Sequence, residues 1–539
     1  MPDLLIIAGD TAQDFLGQDL REKMRLAVDG VPASLAFLRE YFGSGKDARA
    51  AVDAASTNEP PFVSLNGPYL RQYLEDQGFT IGLVPLFTPG KDKLLDLLKS
   101  GPSAVVISTT FLPIAAQIDA IAGFVKKHAP DVPVIAGGIQ VWKSYQHKLL
   151  LDRGAITEDI RGPVCEHNYL MDPARPSPLD VLVVSDSGEH TLARLLERIR
   201  DGAPYDDLEN IAFVVDGKWR TNPIVPEPCA EFGIDWGRHF DGPTAAYVPV
   251  QAGLGCGFRC TFCDFCGLRP VKARSAESIV EEVSTIPPLD GVRRVYFTDD
   301  NLFPTKERVK EVCRALIESN LNVKWRGLVR ISIVDDEVAD LMAESGALEI
   351  FLGIESGDPE QLARMRKRTT PGEIISGVGH LAKRGISTKS SFIVGFPGET
   401  EKSLQNTVHL LNNYPTDGPA VHRYMFFLFG ILPLSEVAAP ESRALYDLSG
   451  YGWEWSHSTM NARTAGELMA TLHDRLKLEL SPSYVLESPE LPGLDIEDIK
   501  RIYVLRNRLV QAERSELPTA HLWSKLEGVF AQAGTSGTK

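Results

Sequence analysis

Short apolar runs alternate with amphipathic helical stretches along most of this chain, and that alternation limits the fold more than any other feature. Phe79–Pro85, Ala104–Ser108, Val132–Ala136 and Val181–Val184 read as strands, with helical stretches at Tyr69–Gln77, Lys91–Ser100, Ile114–His128 and Thr191–Arg200. Leu4–Ala8 is a candidate first strand. Val- and Ile-rich strands joined by helices predict a parallel sheet covered on both faces. From Ala246 the alternation resumes. Strands are expected at 246–253, 292–298, 323–330, 348–354 and 386–394, with helices at 275–285, 305–319, 335–344, 359–366, 372–384 and 400–413. The strand C-termini of this second series carry the polar and glycine-rich residues, where barrels of βα units place their active sites.

The expected fold class is α/β. A Rossmann-like, doubly wound domain occupies residues 1–210, and a connector, with a hairpin around Asp216-Gly217, runs over 211–245. A partial (β/α)6 TIM-like barrel follows over 246–415, and a mostly helical C-terminal domain over 416–539. With 56 Lys and Arg against 72 Asp and Glu the net charge is −16, which argues against a basic surface for nucleic acid. The 43% hydrophobic content excludes wholesale disorder. No apolar run approaches about 18 residues, so no membrane partner is expected. Met1-Pro2-Asp3-Leu4 lacks the basic flank and apolar core of an export signal, which points to the cytoplasm.

Of 7 cysteines, four crowd into the stretch from Cys256 to Cys266, a pattern of metal chemistry in a reducing compartment. Gly255-Cys256-Gly257-Phe258-Arg259-Cys260-Thr261-Phe262-Cys263 is spaced CxxxCxxC at the end of the first barrel strand. Thiolates are soft ligands that suit iron–sulfur clusters and zinc. Cys256, Cys260 and Cys263 can hold three irons of a [4Fe–4S] cube and leave the fourth open. Two alternatives stay open: a zinc site completed by Cys266 or His239, and an electron-transfer cluster with Cys266 as fourth ligand.

With Phe262 just before its last cysteine, this motif resembles the signature of radical S-adenosylmethionine enzymes. The likeness continues in order through Tyr296-Phe297-Thr298-Asp299-Asp300-Asn301, Gly353-Ile354-Glu355-Ser356-Gly357 and Gly395-Phe396-Pro397-Gly398-Glu399-Thr400. The resemblance implies that the open iron chelates S-adenosylmethionine, whose cleavage yields a 5′-deoxyadenosyl radical. On it, Asp299 and Glu355 are expected to accept hydrogen bonds from the ammonium or ribose, and Arg330 to pair with the methionine carboxylate. Gly395 and Gly398 are expected to let backbone approach the ligand. For Asp300 and Glu399 a helix cap or a surface charge is as good a reading.

Val105–Thr110, Val134–Gly138 and Asp186-Ser187-Gly188-Glu189-His190-Thr191 resemble the cobalamin-binding domain that precedes the radical domain in one large subfamily. The resemblance places Ser108, Thr109, Gly137, Gly138 and Glu189 along the corrin, in the crevice at the strand ends. No Asp-x-His-x-x-Gly string is present, so the cobalamin expected here has no histidine lower ligand from that motif. Arg71 is a candidate for the lower face, or else an ordinary surface arginine. A Rossmann-like module without cofactor is the alternative for the whole domain.

The implied function is a cobalamin-dependent methyltransferase that removes a substrate hydrogen with the adenosyl radical and delivers a methyl group from methylcobalamin. Its partners are a small-molecule or peptide substrate and an electron donor such as flavodoxin or ferredoxin. A ring-forming or rearranging enzyme with the same domains, or an iron–sulfur electron carrier, is the alternative. The aromatic segment Tyr451–Met460 either caps the barrel mouth or packs between domains. No residue is assigned a catalytic role from sequence.

Overall fold

The computed structural model describes residues 2–10, 25–52, 64–156, 158–227, 233–240, 242, 247–265, 268–483, 487–491 and 493–536; Cys266 lies outside them. Two seven-stranded sheets organise it. The first comprises β1 (Leu4–Ile7), β2 (Ile81–Val84), β3 (Ala104–Ser108), β4 (Val134–Gly137), β5 (Val181–Val183), β6 (Ile211–Val215) and β7 (Lys218–Thr221) in the order 2-1-3-4-5-6-7. The first five are parallel. β6 and β7 add an antiparallel hairpin whose turn, Asp216 at φ 50 and Gly217 at φ 73, has the left-handed pair such tight turns require. The sheet therefore runs to Thr221, beyond the expected limit at 210.

Alternation along β1 shows why both faces are apolar. Leu5 and Ile7 pack with Leu94, Leu98, Ile118 and Ile121 of helices Lys91–Leu98 and Ala115–His128 on one side. Leu4 and Ile6 pack with Leu74, Leu192 and Leu196 of helices Asn66–Asp76 and Glu189–Arg200 on the other. A parallel strand buried on both faces has no place for polar alternation.

The second sheet comprises β8 (Val248–Val250), β9 (Arg293–Phe297), β10 (Val323–Leu328), β11 (Ala347–Glu355), β12 (Ser387–Val394), β13 (His422–Leu428) and the short β14 (Ser481–Pro482), all parallel and in sequence order. Helices Ala276–Ser284, Lys306–Glu318, Asp336–Glu344, Pro371–Lys383 and Glu401–Asn412 form its outer layer over one continuous core. Ser275, Thr305, Asp335, Thr370 and Thr400 cap these helices with side-chain oxygens, which satisfies backbone N–H groups that a helix start leaves open. β13 pairs with β12 from Thr388↔His422 to Val394↔Leu428, so the sheet continues past the boundary expected at 415.

Beyond β13 lie a small three-stranded sheet (Ser449–Tyr451, Glu454–His457, Met460–Asn461) and helices Ala462–Leu472, Ile496–Arg514 and Ala520–Ser536. The N-terminal helix Leu35–Gly43 packs on the last two helices rather than on the first sheet. A buried ionic chain secures this arrangement. Arg423 holds Glu349 and Glu487, Arg506 donates to Glu487 Oε1 at 2.6 Å and to the Ala33 carbonyl at 3.0 Å, and Leu35 N donates to Glu487 at 2.9 Å. Breaking such a pair by removing one partner costs about 3–5 kcal/mol. Among the described residues no helix is long and apolar enough to cross a membrane.

Candidate functional site

The cysteine loop leaves the sheet just after β8. Gly253–Leu254 pairs antiparallel with Lys272–Ala273 and closes the loop at its base. Gly255 sits there at φ +75, where a Cβ would stand 2.7 Å from the Pro270 carbonyl oxygen, so only glycine fits. Thr261 anchors the middle of the loop, its N donating to the Met365 carbonyl at 3.3 Å and its hydroxyl to the Arg364 carbonyl at 2.9 Å. Arg330 donates from Nη1 to Cys260 Sγ at 3.6 Å, donates to the Lys367 carbonyl, and lies 3.8 Å over the Phe258 ring. Arg330, which the resemblance expects to pair with a ligand carboxylate, thus lies against the cysteine loop. Burial pushes the Cys256 thiol up, and the neighbouring Cys260 and Cys263 add to that, while Phe258 N–H and Arg330 oppose it. Among the described residues no three His, Cys, Asp or Glu side chains converge on one ion. A cube taking one thiolate per iron does not ask them to, and the soft three-sulfur donor set beside an arginine fits such a cluster. His239, the other zinc candidate, packs against Trp236, and burial and the Arg71 charge lower its pKa.

The strand ends around this loop differ in what they offer. Glu355 ends β11 at φ 73, an unusual backbone for a residue with a side chain and one that recurs at functional sites. Its Oε1 lies 3.4 Å from Lys367 Nζ, which in turn stands 5.8 Å from the Phe262 ring. Burial pushes the Glu355 carboxyl up, opposed by Lys367 and Arg330. Asp299 departs from expectation. Its Oδ2 accepts from Ala252 N at 3.0 Å, so the carboxylate anchors the backbone that leads into the cysteine loop. Burial raises it to about 7. Asp300 likewise receives the Gly255 backbone N–H and faces Arg269.

Gly395 has the close approach foreseen for it, but to a different group. At φ +92, a Cβ there would stand 2.5 Å from Trp455 Cη2, so the glycine seats the indole of the small C-terminal sheet. Trp455 Nε1 donates to the Phe429 carbonyl at 2.6 Å, and His457 Nε2 lies 3.0 Å from the Gly395 carbonyl oxygen. The aromatic segment is thus a packed interface over β12. Glu399 is neither a cap nor a surface charge. It is fully buried, accepts the Gly395 N–H, and its Oε1 has no partner. Burial raises its carboxyl to about 8.

In the first sheet the order 2-1-3-4-5 reverses direction between β1 and β3, which opens a ligand crevice at their C-terminal ends. Ser108, Thr109, Gly137 and Gly138 all lie there. Ser108 Oγ accepts from Asn66 at 3.4 Å, and Thr109 Oγ1 donates to the Gly137 carbonyl at 3.0 Å. Gly138 holds φ +112, and a Cβ would meet Thr109 Oγ1 at 3.2 Å. Ser187 Oγ is buried without a partner, and Phe111, just beyond β3, is exposed. A crevice of small residues with an exposed ring and an orphaned hydroxyl fits a flat, largely apolar macrocycle with a polar tail. Glu189 begins the next helix, where burial raises its carboxyl and Tyr69 and Arg269 oppose the shift. Arg71 stands apart from this group, paired with Glu75 at 2.7 Å one turn along its own helix.

Features that the sequence did not flag join crevice and loop. Lys143 Nζ lies 2.6 Å from Asp264 Oδ2 and 4.5 Å from the centre of the Phe265 ring. Trp142 Nε1 donates to the Leu268 carbonyl at 2.8 Å. Both residues sit on helix Ile139–Asp152, directly after Gly138. The same junction holds Glu227, which accepts from Thr191 and whose carbonyl accepts from Lys272 at 3.0 Å. Lys and Trp on an amphipathic helix read as surface residues, and nothing local distinguishes them.

Comparison with known proteins bears on this geometry. The radical SAM superfamily model matches residues 250–411. Cytidylyl-2-hydroxyethylphosphonate methyltransferase of Streptomyces wedmorensis is 31% identical over 62% of this chain and 71% of its own length. The chain is a radical S-adenosylmethionine protein. Other relatives of this radical S-adenosylmethionine chain are an uncharacterized methyltransferase of Pyrococcus horikoshii, 26% identical over 45% of the chain, and the anaerobic magnesium-protoporphyrin IX monomethyl ester cyclase of Rubrivivax gelatinosus, 24% identical over 65%. The chain spans only 55% and 62% of the lengths of these two. Its fold is that of the radical S-adenosylmethionine methyltransferase TsrM from Kitasatospora setae, solved with cobalamin and a [4Fe–4S] cluster. The TM-score is 0.51 at 16% identity, over 81% of this chain and 77% of that one.

Proposed function

We propose that the protein is a cobalamin-dependent radical S-adenosylmethionine methyltransferase. It methylates an unactivated carbon, or a phosphinate phosphorus, in a small-molecule or peptide biosynthetic intermediate. The observation that carries this reading is the clasp of Trp142 and Lys143, on the helix that follows Gly138, to Leu268 and Asp264 of the cysteine loop. Membership in the radical S-adenosylmethionine family and the phosphonate methyltransferase relative support it. The TsrM fold, solved with cobalamin and a [4Fe–4S] cluster, supports the choice of cofactors.

When bound, the cluster with S-adenosylmethionine and the corrin supply the radical chemistry and the methyl group. The chain's own residues hold, orient and shield. Cys256, Cys260 and Cys263 ligate the cluster, and Arg330 beside Cys260 offsets negative charge there. Lys367 keeps Glu355 fixed at the end of β11 as an acceptor for a cationic or hydroxyl-bearing ligand. Ser108, Thr109, Gly137 and Gly138 form the corrin cradle, with no histidine from an Asp-x-His-x-x-Gly string to meet the cobalt. The small C-terminal sheet, seated by Trp455 on Gly395, closes the strand ends over β12 against water. An electron donor such as flavodoxin or ferredoxin and a cytoplasmic setting belong to the same reading.

The cyclase relative favours one second reading, a non-methylating radical enzyme on this frame. Reductive cleavage tests the shared part. Anaerobically reconstituted protein should convert S-adenosylmethionine to 5′-deoxyadenosine under dithionite, and Cys256→Ala, Cys260→Ala and Cys263→Ala should each abolish it. Intact S-adenosylmethionine would instead support an electron carrier.

A further inference from the structure

The concave face of the second sheet carries side chains that the cofactor reading leaves unused. Along β12, Thr388 and Ser390 turn toward the outer layer, where Thr388 Oγ1 lies 2.8 Å from His422 Nδ1 and Ser390 Oγ 3.1 Å from the Tyr414 hydroxyl. Alternation therefore puts Lys389, Ser391 and Ile393 on the concave side. Glu349, Phe351, Gly353 and Glu355 of β11 face the same way, since a Cβ on Gly353 would stand 2.6 Å from Glu355 Oε1.

One strip crosses this face. Lys389 Nζ lies 5.1 Å from the centre of the Phe351 ring, and Phe351 packs edge-on against Tyr296 at 5.7 Å. The Arg326 guanidinium lies 5.4 Å from Tyr296 and 3.9 Å from Tyr247. Two cations and three rings thus line one wall. The acid beside them, Glu349, is held by Arg423 through two nitrogens. Among the described residues neither Lys389 nor Arg326 has a carboxylate within ion-pair distance, and Arg326 Nε is buried without a partner. Burial lowers Lys389 to about 8, with the Arg423 and Arg326 charges adding to the shift and Glu349 opposing it. With Arg326 buried and Lys389 half-buried, this positive surplus is costly until an anion meets it. At about 3.3 Å per residue, Phe351 lies roughly 13 Å below Glu355, and the positions between them on this face, Gly353 and its neighbour Ser391, are small.

We propose that this strip is the substrate site, and that the substrate is a small anion whose phosphonate, phosphate or carboxylate group is held by Lys389 and Arg326. Its stem runs past Phe351 and Tyr296 so that the reacting atom faces the Glu355 end. This rests on the enzyme reading above, and names the substrate class for it.

Isothermal titration of the anaerobic holoenzyme tests the assignment, with 2-hydroxyethylphosphonate, 3-hydroxypropanoate and the neutral propane-1,3-diol as probes. The wild type should bind one or both anions and prefer them to the diol. Lys389→Met should weaken anion binding at least about tenfold, as loss of a charged hydrogen bond does, and Lys389→Arg should restore most of it. Iron content and circular dichroism report whether each variant is folded. If Lys389→Met does not load iron, Arg326→Gln should show the same loss, and the wild-type preference for anion over diol decides independently. Binding the diol as tightly as the anions, binding neither anion, or an unchanged affinity in folded Lys389→Met would overturn the proposal. The preferred anion assigns the acidic group. 5′-Deoxyadenosine formation in the same preparation separates the two claims: lost anion selectivity with cleavage intact removes the strip alone, whereas absent cleavage removes the enzyme reading.

Discussion

Lys143 Nζ lies 2.6 Å from Asp264 Oδ2, and this pair ties the helix that leaves the Gly137–Gly138 turn to the residue after Cys263. The two side chains are only 18% and 10% exposed, so water screens them far less than it does a surface pair. With Trp142 donating to Leu268 beside it, the contact fixes crevice and cysteine loop to each other across a sequence separation of 121 residues. From the sequence these sites look independent; the structure makes them one unit.

Lys143→Ala should therefore uncouple them. The expected outcome is a drop of about tenfold or more in S-adenosylhomocysteine formed per 5′-deoxyadenosine, because small misplacements of reacting groups cost that much. Iron and corrin contents of the purified protein should hold. An unchanged product ratio would show that the clasp does not position the two sites.

Gly138 gives a separate test of the crevice. Its φ is +112, and a Cβ added there would have Thr109 Oγ1, Thr109 N and Thr110 Oγ1 within 3.3 Å, so even alanine is both strained and crowded. Gly138→Ala should retain several-fold less corrinoid on purification, read from the visible spectrum, and Gly138→Trp less still. Gly123→Ala is the control, since that helical glycine has nothing within 4 Å and tolerates a methyl. Normal corrinoid in folded Gly138→Trp would remove these glycines from the site.

Glu399 predicts a pH dependence. Burial lifts its carboxyl from 4.5 to about 8 in the folded chain, so folding favours the protonated form. Its contribution is full below the unfolded value and is lost as pH rises through about 8, since the native state binds more protons over that window. Glu399→Gln keeps an acceptor for the Gly395 N–H and cannot ionise. The variant should thus gain stability relative to wild type as pH rises from about 5 to about 8, with the gap levelling off above that, measured as the difference in melting temperature by circular dichroism. A gap that stays flat or runs the other way would mean that Glu399 is not held protonated.

What local patterns carry and what they miss follows from sequence separation. The βα alternation placed β9 to β12 and their helices within a few residues, because apolar periodicity and capping threonines such as Thr370 and Thr400 are local signals. β13 was hidden by Pro415 and the Asp417-Gly418-Pro419 break before it, although Met425-Phe426-Phe427-Leu428 is the unbroken apolar run of a buried parallel strand. The helix Leu35–Gly43 reads as part of the first domain because nothing in its own sequence reports Glu487, 452 residues away, as the acceptor for Leu35 N. Site residues divide in the same way. The three cysteines and the crevice glycines declare their chemistry by type and spacing. Asp299 does not, since a carboxylate at a strand end serves backbone or ligand equally well, and only the fold shows that Ala252 N takes it. Gly395 signals a close approach without naming Trp455 as the group that approaches. Lys389 does carry a local signal, a lysine inside the small and apolar run Ser387–Val394 of a largely buried strand.

The most direct measurement of the account is the pair of products released from S-adenosylmethionine by cobalamin-loaded, cluster-reconstituted protein under dithionite. The wild type should form both S-adenosylhomocysteine, at about one equivalent per bound corrin or more, and 5′-deoxyadenosine. Cys260→Ala should lose the 5′-deoxyadenosine. 5′-Deoxyadenosine without S-adenosylhomocysteine from a corrin-loaded wild type would contradict methyl transfer and leave the non-methylating reading in its place.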